Sequence, residues 1–230
     1  TSCTQKNICE FSISFYINTD IFFSLGKQVP TIIKDLGGEI GKFVPVGSLY
    51  MEHFWYNRKK DLNKTPKSDI LIIGLNYANA PDRMYIDNVH YKNYYQHIEW
   101  IKKISIKYPK LNIVLKHHNS YAGDPKEKDI LKNTNVKIKY KSLSINSSYA
   151  FLHKAKKIFS FGSTMILEAI SMNKIAYFLD PNLQNVSFHK SIPAAKNFRI
   201  KNYNDFEKKI IKSKKIKLKN SNNFCIKSNK

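Results

Sequence analysis

Two short stretches and one carboxylate in this sequence combine residue types suited to holding an anion. The first stretch is Ser160-Phe161-Gly162-Ser163-Thr164, between the apolar pair Ile158-Phe159 and the nearly apolar run from Met165 to Met172. Read as strand, tight loop and helix, it leaves the first N–H groups of the helix without partners inside it, and the helix dipole adds positive potential there. Gly162 lets the backbone turn sharply and lets a ligand approach closely. Either Ser163 or Thr164 can cap the helix, which frees the other hydroxyl to face outward. A helix end placed after a strand and a glycine is a seat for phosphate. Glu168 is the only charge on the helix, about one turn further in, where it could accept hydrogen bonds from a ribose diol or simply face water.

The second stretch is Lys116-His117-His118-Asn119-Ser120, directly after the apolar run Leu111–Leu115. A lysine and imidazoles at a strand end suit a diphosphate by charge and by N–H donation. A metal reading is weaker, because neighbouring histidines tend to point in opposing directions and no third ligand stands at a fitting spacing. Which of His117 and His118 faces a ligand stays open at this level.

These stretches need a scaffold that brings strand ends together. Asp69–Leu75 is a continuously apolar run, as a parallel strand covered on both faces requires. Further strands are expected near 111–115, 136–140, 157–160 and 175–179, with helices between them over 91–108, 124–131, 149–155 and 165–172. Asn173 suits the C-terminal cap of the last of these, and a closing helix over 205–211 takes Asn204 as its cap. This alternation is that of a doubly wound parallel sheet, in which ligands sit beyond the carboxyl ends of the strands. Upstream, 20–24 reads as a short buried strand, 30–36 as a helix stopped by Gly37-Gly38, and 43–48 as a strand ending in a glycine turn. Residues 50–63 read as a short helix or loop with Met51, Phe54 and Trp55 at helical spacing, serving to cover the core.

Ser160, Gly162-Ser163-Thr164, Glu168-Ala169, Lys174 and Phe178-Leu179-Asp180-Pro181 together resemble the nucleotide-binding half of GT-B glycosyltransferases. The similarity is to the branch that builds bacterial surface carbohydrate, near the CDP-glycerol glycerophosphotransferases. Lys116 with His117 or His118 matches the Lys-x-His or Lys-His-His element of that group, and Val46-Gly47-Ser48 matches its crossing between domains. The resemblance implies an α/β fold with a Rossmann-like parallel sheet flanked by helices, carrying a partial N-terminal remnant. It divides the chain into 1–48 (end of the acceptor-side domain and crossover), 49–68 (linker), 69–211 (nucleotide-sugar-binding domain) and 212–230 (basic tail). It implies a nucleotide-sugar donor held through its diphosphate by Lys116, His117, His118, Gly162, Ser163, Thr164 and Glu168, and a glycan or lipid-linked acceptor. It calls for no cofactor and no metal. In such enzymes the general base comes from the acceptor-side domain, so this chain by itself is not expected to turn over. In the relatives the loop before the 149–155 helix reaches the base, where Asn146 and Ser147 lie here; as plain residues they read as that helix's N-cap.

Composition bounds the alternatives. At 230 residues and 42% hydrophobic content the chain can bury a substantial core. It holds no run of about 18 apolar residues, and no signal peptide is visible after Thr1; the chain reads as a piece of something longer. The three cysteines, Cys3, Cys9 and Cys225, form no zinc or disulfide pattern and fit a cytoplasmic setting, including the inner membrane face. The net charge of +22 raises a nucleic-acid-binding reading, but the lysines are dispersed and travel with Asn and Ile, so no nucleic-acid partner is expected. The basic tail from Lys208 to Lys230 is the exception, leaving contact with anionic lipid or nucleic acid open beside a plain solvated end. A second enzymatic reading is a UDP-N-acetylglucosamine 2-epimerase-like protein. Against it stands the loop, Ser160-Phe161-Gly162-Ser163 here, where those enzymes resemble Asp-Ser-Gly-Gly.

Overall fold

The structure is a computed structural model and describes residues 18–27, 30, 33, 39–74, 88–117, 123–140, 145–161, 163–180, 197–213 and 225. Its centre is a six-stranded, wholly parallel sheet built from β3 (Ser68–Ile73), β4 (Ile113–Lys116), β5 (Lys137–Lys139), β6 (Ala155–Ser160), β7 (Ile175–Leu179) and β8 (Arg199–Ile200), in the spatial order β5-β4-β3-β6-β7-β8. The chain winds outward one way from β3 to β5, then returns to β3's other side and winds the opposite way. The reversal lies between β3 and β6, and this is where an open parallel sheet leaves a crevice at its carboxyl edge.

Two sets of apolar side chains alternate along each strand and face two helical layers. On one face Leu71, Ile73, Val114, Ile158 and Phe178 pack against α4 (Ile145–Lys154) and α5 (Met165–Ser171). On the other, Ile70, Ile72, Leu115, Phe159 and Tyr177 pack against α2 (Asn88–Lys107) and α6 (Tyr203–Lys212), and α3 (Pro125–Ile130) joins this layer through Ile130 and the adjoining Leu131. β3 is central because five of its six residues are buried, which suits a strand covered on both faces. Helix α5 ends as its sequence suggests, with Asn173 at φ 59°, a left-handed conformation asparagine tolerates. The cap of α6 is Asn202, whose side chain accepts from Asp205 N, rather than Asn204.

The N-terminal part is a two-stranded parallel ribbon of β1 (Asn18–Ser24) and β2 (Glu39–Pro45). The expectation of a buried strand at 20–24 fails for its apolar side chains, since Ile21 is 51% and Phe23 65% exposed. The chain then turns at Gly47, φ 86°, and enters α1 (Leu49–Lys64), which takes up most of the span expected as linker. Met51 and Phe54 of α1 pack on Tyr149 and Ala150 of α4, and Cys225 closes the same cluster. The other expected elements at 30–36 and in the loop 76–89 lie mostly outside the described residues, as do Asn119, Ser120 and Pro181.

Candidate functional site

Strand register decides which of the candidate residues meet. Ile73, the last residue of β3, pairs with Lys116 of β4 on one side and with Ser160 of β6 on the other. With neighbouring strands about 4.8 Å apart, the two backbones stand roughly 10 Å from one another at one edge. Alternation then assigns faces. Lys116 continues the side of Val114 and Ser160 that of Ile158, so both belong to the face covered by α4 and α5.

The loop after β6 is tied down by its own serines. The Ser160 hydroxyl donates to the Ile73 carbonyl at 3.2 Å and accepts from Ser163 N at 2.8 Å. Ser163 in turn accepts from Met165 N at 3.3 Å and so caps α5. Thr164 is exposed and makes no side-chain capping bond. Of the two hydroxyls that could cap this helix, Ser163 does so and Thr164 faces outward. Gly162 and His118 lie outside the described residues.

Lys116 is 3% exposed, and its ammonium donates to the His117 carbonyl. Burial holds its pKa down at about 8.

His117 departs from the expected basic cluster. One residue on from Lys116, its ring packs with groups of the opposite helical layer. Its Nε2 lies 2.9 Å from Glu127 Oε1, with both side chains wholly buried, and its ring is parallel to Tyr140 at 5.5 Å. Tyr94 donates to the other Glu127 oxygen. A Cβ at Gly74 would come within 2.6 Å of the ring edge, so the backbone at the end of β3 closes the remaining side. Lys116 and His117 therefore do not form one cationic cluster: β-strand alternation separates them, and Glu127 engages the imidazole.

Glu168 is only 4% exposed, so the water-facing reading of it is excluded. Tyr149 of α4 donates to its Oε1 at 3.0 Å. The Ser48 hydroxyl, 3.3 Å from the Tyr149 oxygen, extends the chain of hydrogen bonds to the start of α1, where it also caps Met51 N. Oε2 has no hydrogen-bond partner among the described residues. Burial pushes the Glu168 carboxyl up, and the hydroxyls of Ser48 and Tyr149 oppose that shift. Burial likewise raises the Tyr149 phenol, and pushes the Cys225 thiol beside it up to about 11.

Helix direction places this carboxylate near the same edge as Lys116. Helices α1 and α4 run into the amino ends of β3 and β6, so both begin at the carboxyl edge, while α5 leaves that edge directly. Ser48, Tyr149 and Glu168 each sit within about a turn of those beginnings. Lys116, Ser160, Ser163, Thr164 and Glu168 thus share one edge and one face. Lys174 does not join them: its ammonium reaches the carbonyls of His153 and Ala155, at the amino edge. Tyr149 and Glu127 were not singled out from the sequence. Their partners lie 19 and 10 residues away across loops, and no local spacing announces either contact.

No protein-family model matches this chain, and comparison with curated proteins gives no match. Among solved structures, the Staphylococcus aureus MnaA–UDP complex superposes with a TM-score of 0.53 at 15% identity, over 84% of this chain and 51% of that one. The UDP-GlcNAc 2-epimerase of Neisseria meningitidis bound to UDP-GlcNAc gives 0.45 at 17% identity, over 70% of this chain and 42% of that one. The chain spans about half the length of the MnaA structure. That likeness shows the fold, an α/β architecture with a parallel sheet flanked by helices. No helix among the described residues is long and apolar enough to cross a membrane.

Proposed function

We propose that this chain is the donor-binding part of an enzyme that acts on a nucleotide-linked sugar. The ligand's diphosphate lies between Lys116 and the Ser163-Thr164 tip of α5, and its ribose reaches Glu168. The observation that carries the reading is the shared register of Lys116 and Ser160 with Ile73, which aligns the lysine with the start of the loop leading into α5, the helix that carries Glu168. The structural likeness to a protein bound to UDP supports a uridine nucleotide as the first ligand to try.

The chemistry follows from where charge grows. When the bond between sugar and diphosphate breaks, negative charge develops on the departing nucleotide. A preoriented ammonium and N–H groups stabilise that charge more than they stabilise the intact donor. The finer reading is transfer of the sugar, or of a polyol phosphate, in the building of surface polysaccharide, with the acceptor and the general base supplied by a further domain. His117 supports this site from the opposite face by fixing the peptide that holds Lys116, and His118 and Gly162, outside the described residues, complete the proposed set. An epimerase-like activity would use the same bound donor. With the acceptor-side domain present, transfer consumes the sugar only when an acceptor is added, whereas epimerisation needs none.

Calorimetric titration with UDP, CDP and GDP tests the binding step. Replacing Ser163 and Thr164 together with Ala removes one cap and one outward hydroxyl and should weaken the preferred nucleotide about tenfold. Lys116→Ala should weaken it by a similar factor, more visibly at low salt. Unchanged affinity in the double variant would remove the helix tip from the site.

A further inference from the structure

The loop between β6 and α5 is held from both faces of the sheet. Ser160 ties it on the side of α4 and α5, through Ile73 and Ser163. Phe161, one residue on, packs into the opposite layer, as strand alternation requires. There its ring is stacked on the imidazole of His97 from α2, with centroids 5.0 Å apart and planes 18° from parallel, and it is tilted against Tyr94 at 5.3 Å. Trp100 meets the same imidazole edge-on at 5.0 Å.

His97 is 3% exposed, and neither ring nitrogen has a hydrogen-bond partner among the described residues. In either neutral tautomer one N–H and one lone pair are buried unpaired, which costs stability. A phenyl ring would make the same stack without that cost; what it lacks is a place for a proton. No charge compensates one here. In the elements of this layer α3 presents Glu127, already engaged by His117 and Tyr94, and α6 presents Glu207, which Lys107 holds. At the ends of β7 and β8, Asp180 and Arg199 face one another at 3.9 Å. Burial alone brings the His97 pKa down to about 3.

We infer that His97 is a positioning residue: stacked on Phe161 it holds the loop between β6 and α5 closed, and a proton on its ring opens that loop. An imidazolium is expelled from the apolar pocket, so it forms when the stack parts. In the opened loop the ring takes its proton at the ordinary 6.5. The closed form is therefore favoured above pH 6.5 and loses ground as pH falls below it. Between pH 7 and pH 5 the weight of the opened form rises about 25-fold. Where the start of α5 holds an anion, as proposed above, acid releases it. That consequence rests on the nucleotide reading, whereas the opening of the loop does not.

The test is amide hydrogen exchange, followed by NMR on the unliganded chain from pH 7 to pH 5, with each rate divided by that of an unstructured amide at the same pH. The reporter is Ser163 N–H, which donates to Ser160 at 2.8 Å, and the amides of β3 are the reference. In the wild type the opening that exposes Ser163 should become about tenfold or more frequent over that interval. In His97→Phe, which keeps the stack and takes no proton, it should stay within about twofold. A merely structural histidine would be exposed by global unfolding alone; acid would then speed the slowest amides of β3 and leave Ser163 unmoved, and that result would overturn the inference. So would an equal response in His97→Phe. Phe161→Leu decides the matter if His97→Phe fails to fold: it removes the stack and keeps the histidine, so Ser163 should exchange faster at every pH and its acid response should drop to about threefold or less. A full acid response surviving in Phe161→Leu would equally overturn the inference. Added UDP or inorganic pyrophosphate should slow Ser163 exchange at pH 7; if neither does, the nucleotide reading falls, and the unliganded profiles still decide whether His97 governs the loop.

Discussion

Glu127 and Glu168 are both buried carboxylates, 0% and 4% exposed, one on each side of the same parallel sheet. Their surroundings differ in one respect that separates their roles. Glu127 has both oxygens engaged, one by His117 Nε2 and one by the Tyr94 hydroxyl. Glu168 has Oε1 engaged by Tyr149, and its buried Oε2 has no partner among the described residues. A fully satisfied buried acid ties elements together; here it fastens α3 to β4 and α2. An incompletely satisfied one carries a standing cost. On that contrast Glu127 holds elements together, and Glu168 is the carboxylate that the proposed site uses.

The largest expected effect tests the holding face. Glu127→Ala removes the partner of a wholly buried imidazole and of a buried tyrosine hydroxyl at once. Breaking a buried pair from one side costs about 3–5 kcal/mol, so urea denaturation should show a loss of that order, or a chain that no longer folds. A loss below about 1 kcal/mol would mean that the Glu127 cluster does not secure the end of β4, and the contrast between the faces would lapse.

A smaller effect tests the charge on the proposed binding face. Lys116 has its ordinary pKa of 10.5 when unfolded and about 8 in the folded chain. Below pH 8 both states are protonated, and the folded state bears the full penalty of a buried ammonium. Between pH 8 and 10.5 the unfolded chain still binds a proton that the folded lysine has released, so stability rises with pH across that window. Comparison of the wild type with Lys116→Met isolates this slope from the buried tyrosines that titrate nearby, and the difference between the two should shrink as pH rises from 8. A bound phosphate raises the lysine's pKa, so saturating UDP should flatten the slope and UDP affinity should fall above pH 8. A difference independent of pH would mean that Lys116 is not held away from water.

Much of the scaffold was legible in residue types. The continuous apolar run at 69–75 marks the central strand, and the Ser160–Thr164 and Lys116 stretches both stand at strand ends, as their positions after apolar runs imply. Strand order was not legible, because nothing local to β3 says that β4 and β6 flank it. The grouping of Lys116 with His117 mistook closeness in sequence for closeness in space, although the two-residue period of a strand argues against it. The ribbon strand at 18–24 has the composition of a buried element but leaves Ile21 and Phe23 exposed, since composition records apolarity and not the presence of a covering layer. The carboxylate contacts were the least accessible, because each joins residues from separate helices or strands that only tertiary packing brings together.

The smallest expected change is the most diagnostic for the proposed binding face. Glu168→Gln keeps the shape of the side chain and removes its charge. Burial raises the folded pKa of Glu168 above its ordinary 4.5, so the folded carboxyl keeps its proton over a range where the unfolded one has lost it. Wild-type stability should therefore fall as pH rises from about 4.5 through the folded value, and the glutamine variant should lack that fall. At neutral pH the variant should be as stable as the wild type or more stable, by about 1 kcal/mol or less, because an uncharged amide is easier to bury than a carboxylate with one open oxygen. Its UDP affinity should fall at the same time. Gain of stability with loss of binding is the mark of a residue retained for its ligand, whereas the Glu127 substitution costs stability first. Should Glu168→Gln destabilise the chain and leave UDP affinity intact, the open oxygen would have a structural partner outside the described residues, and the two carboxylates would be alike after all.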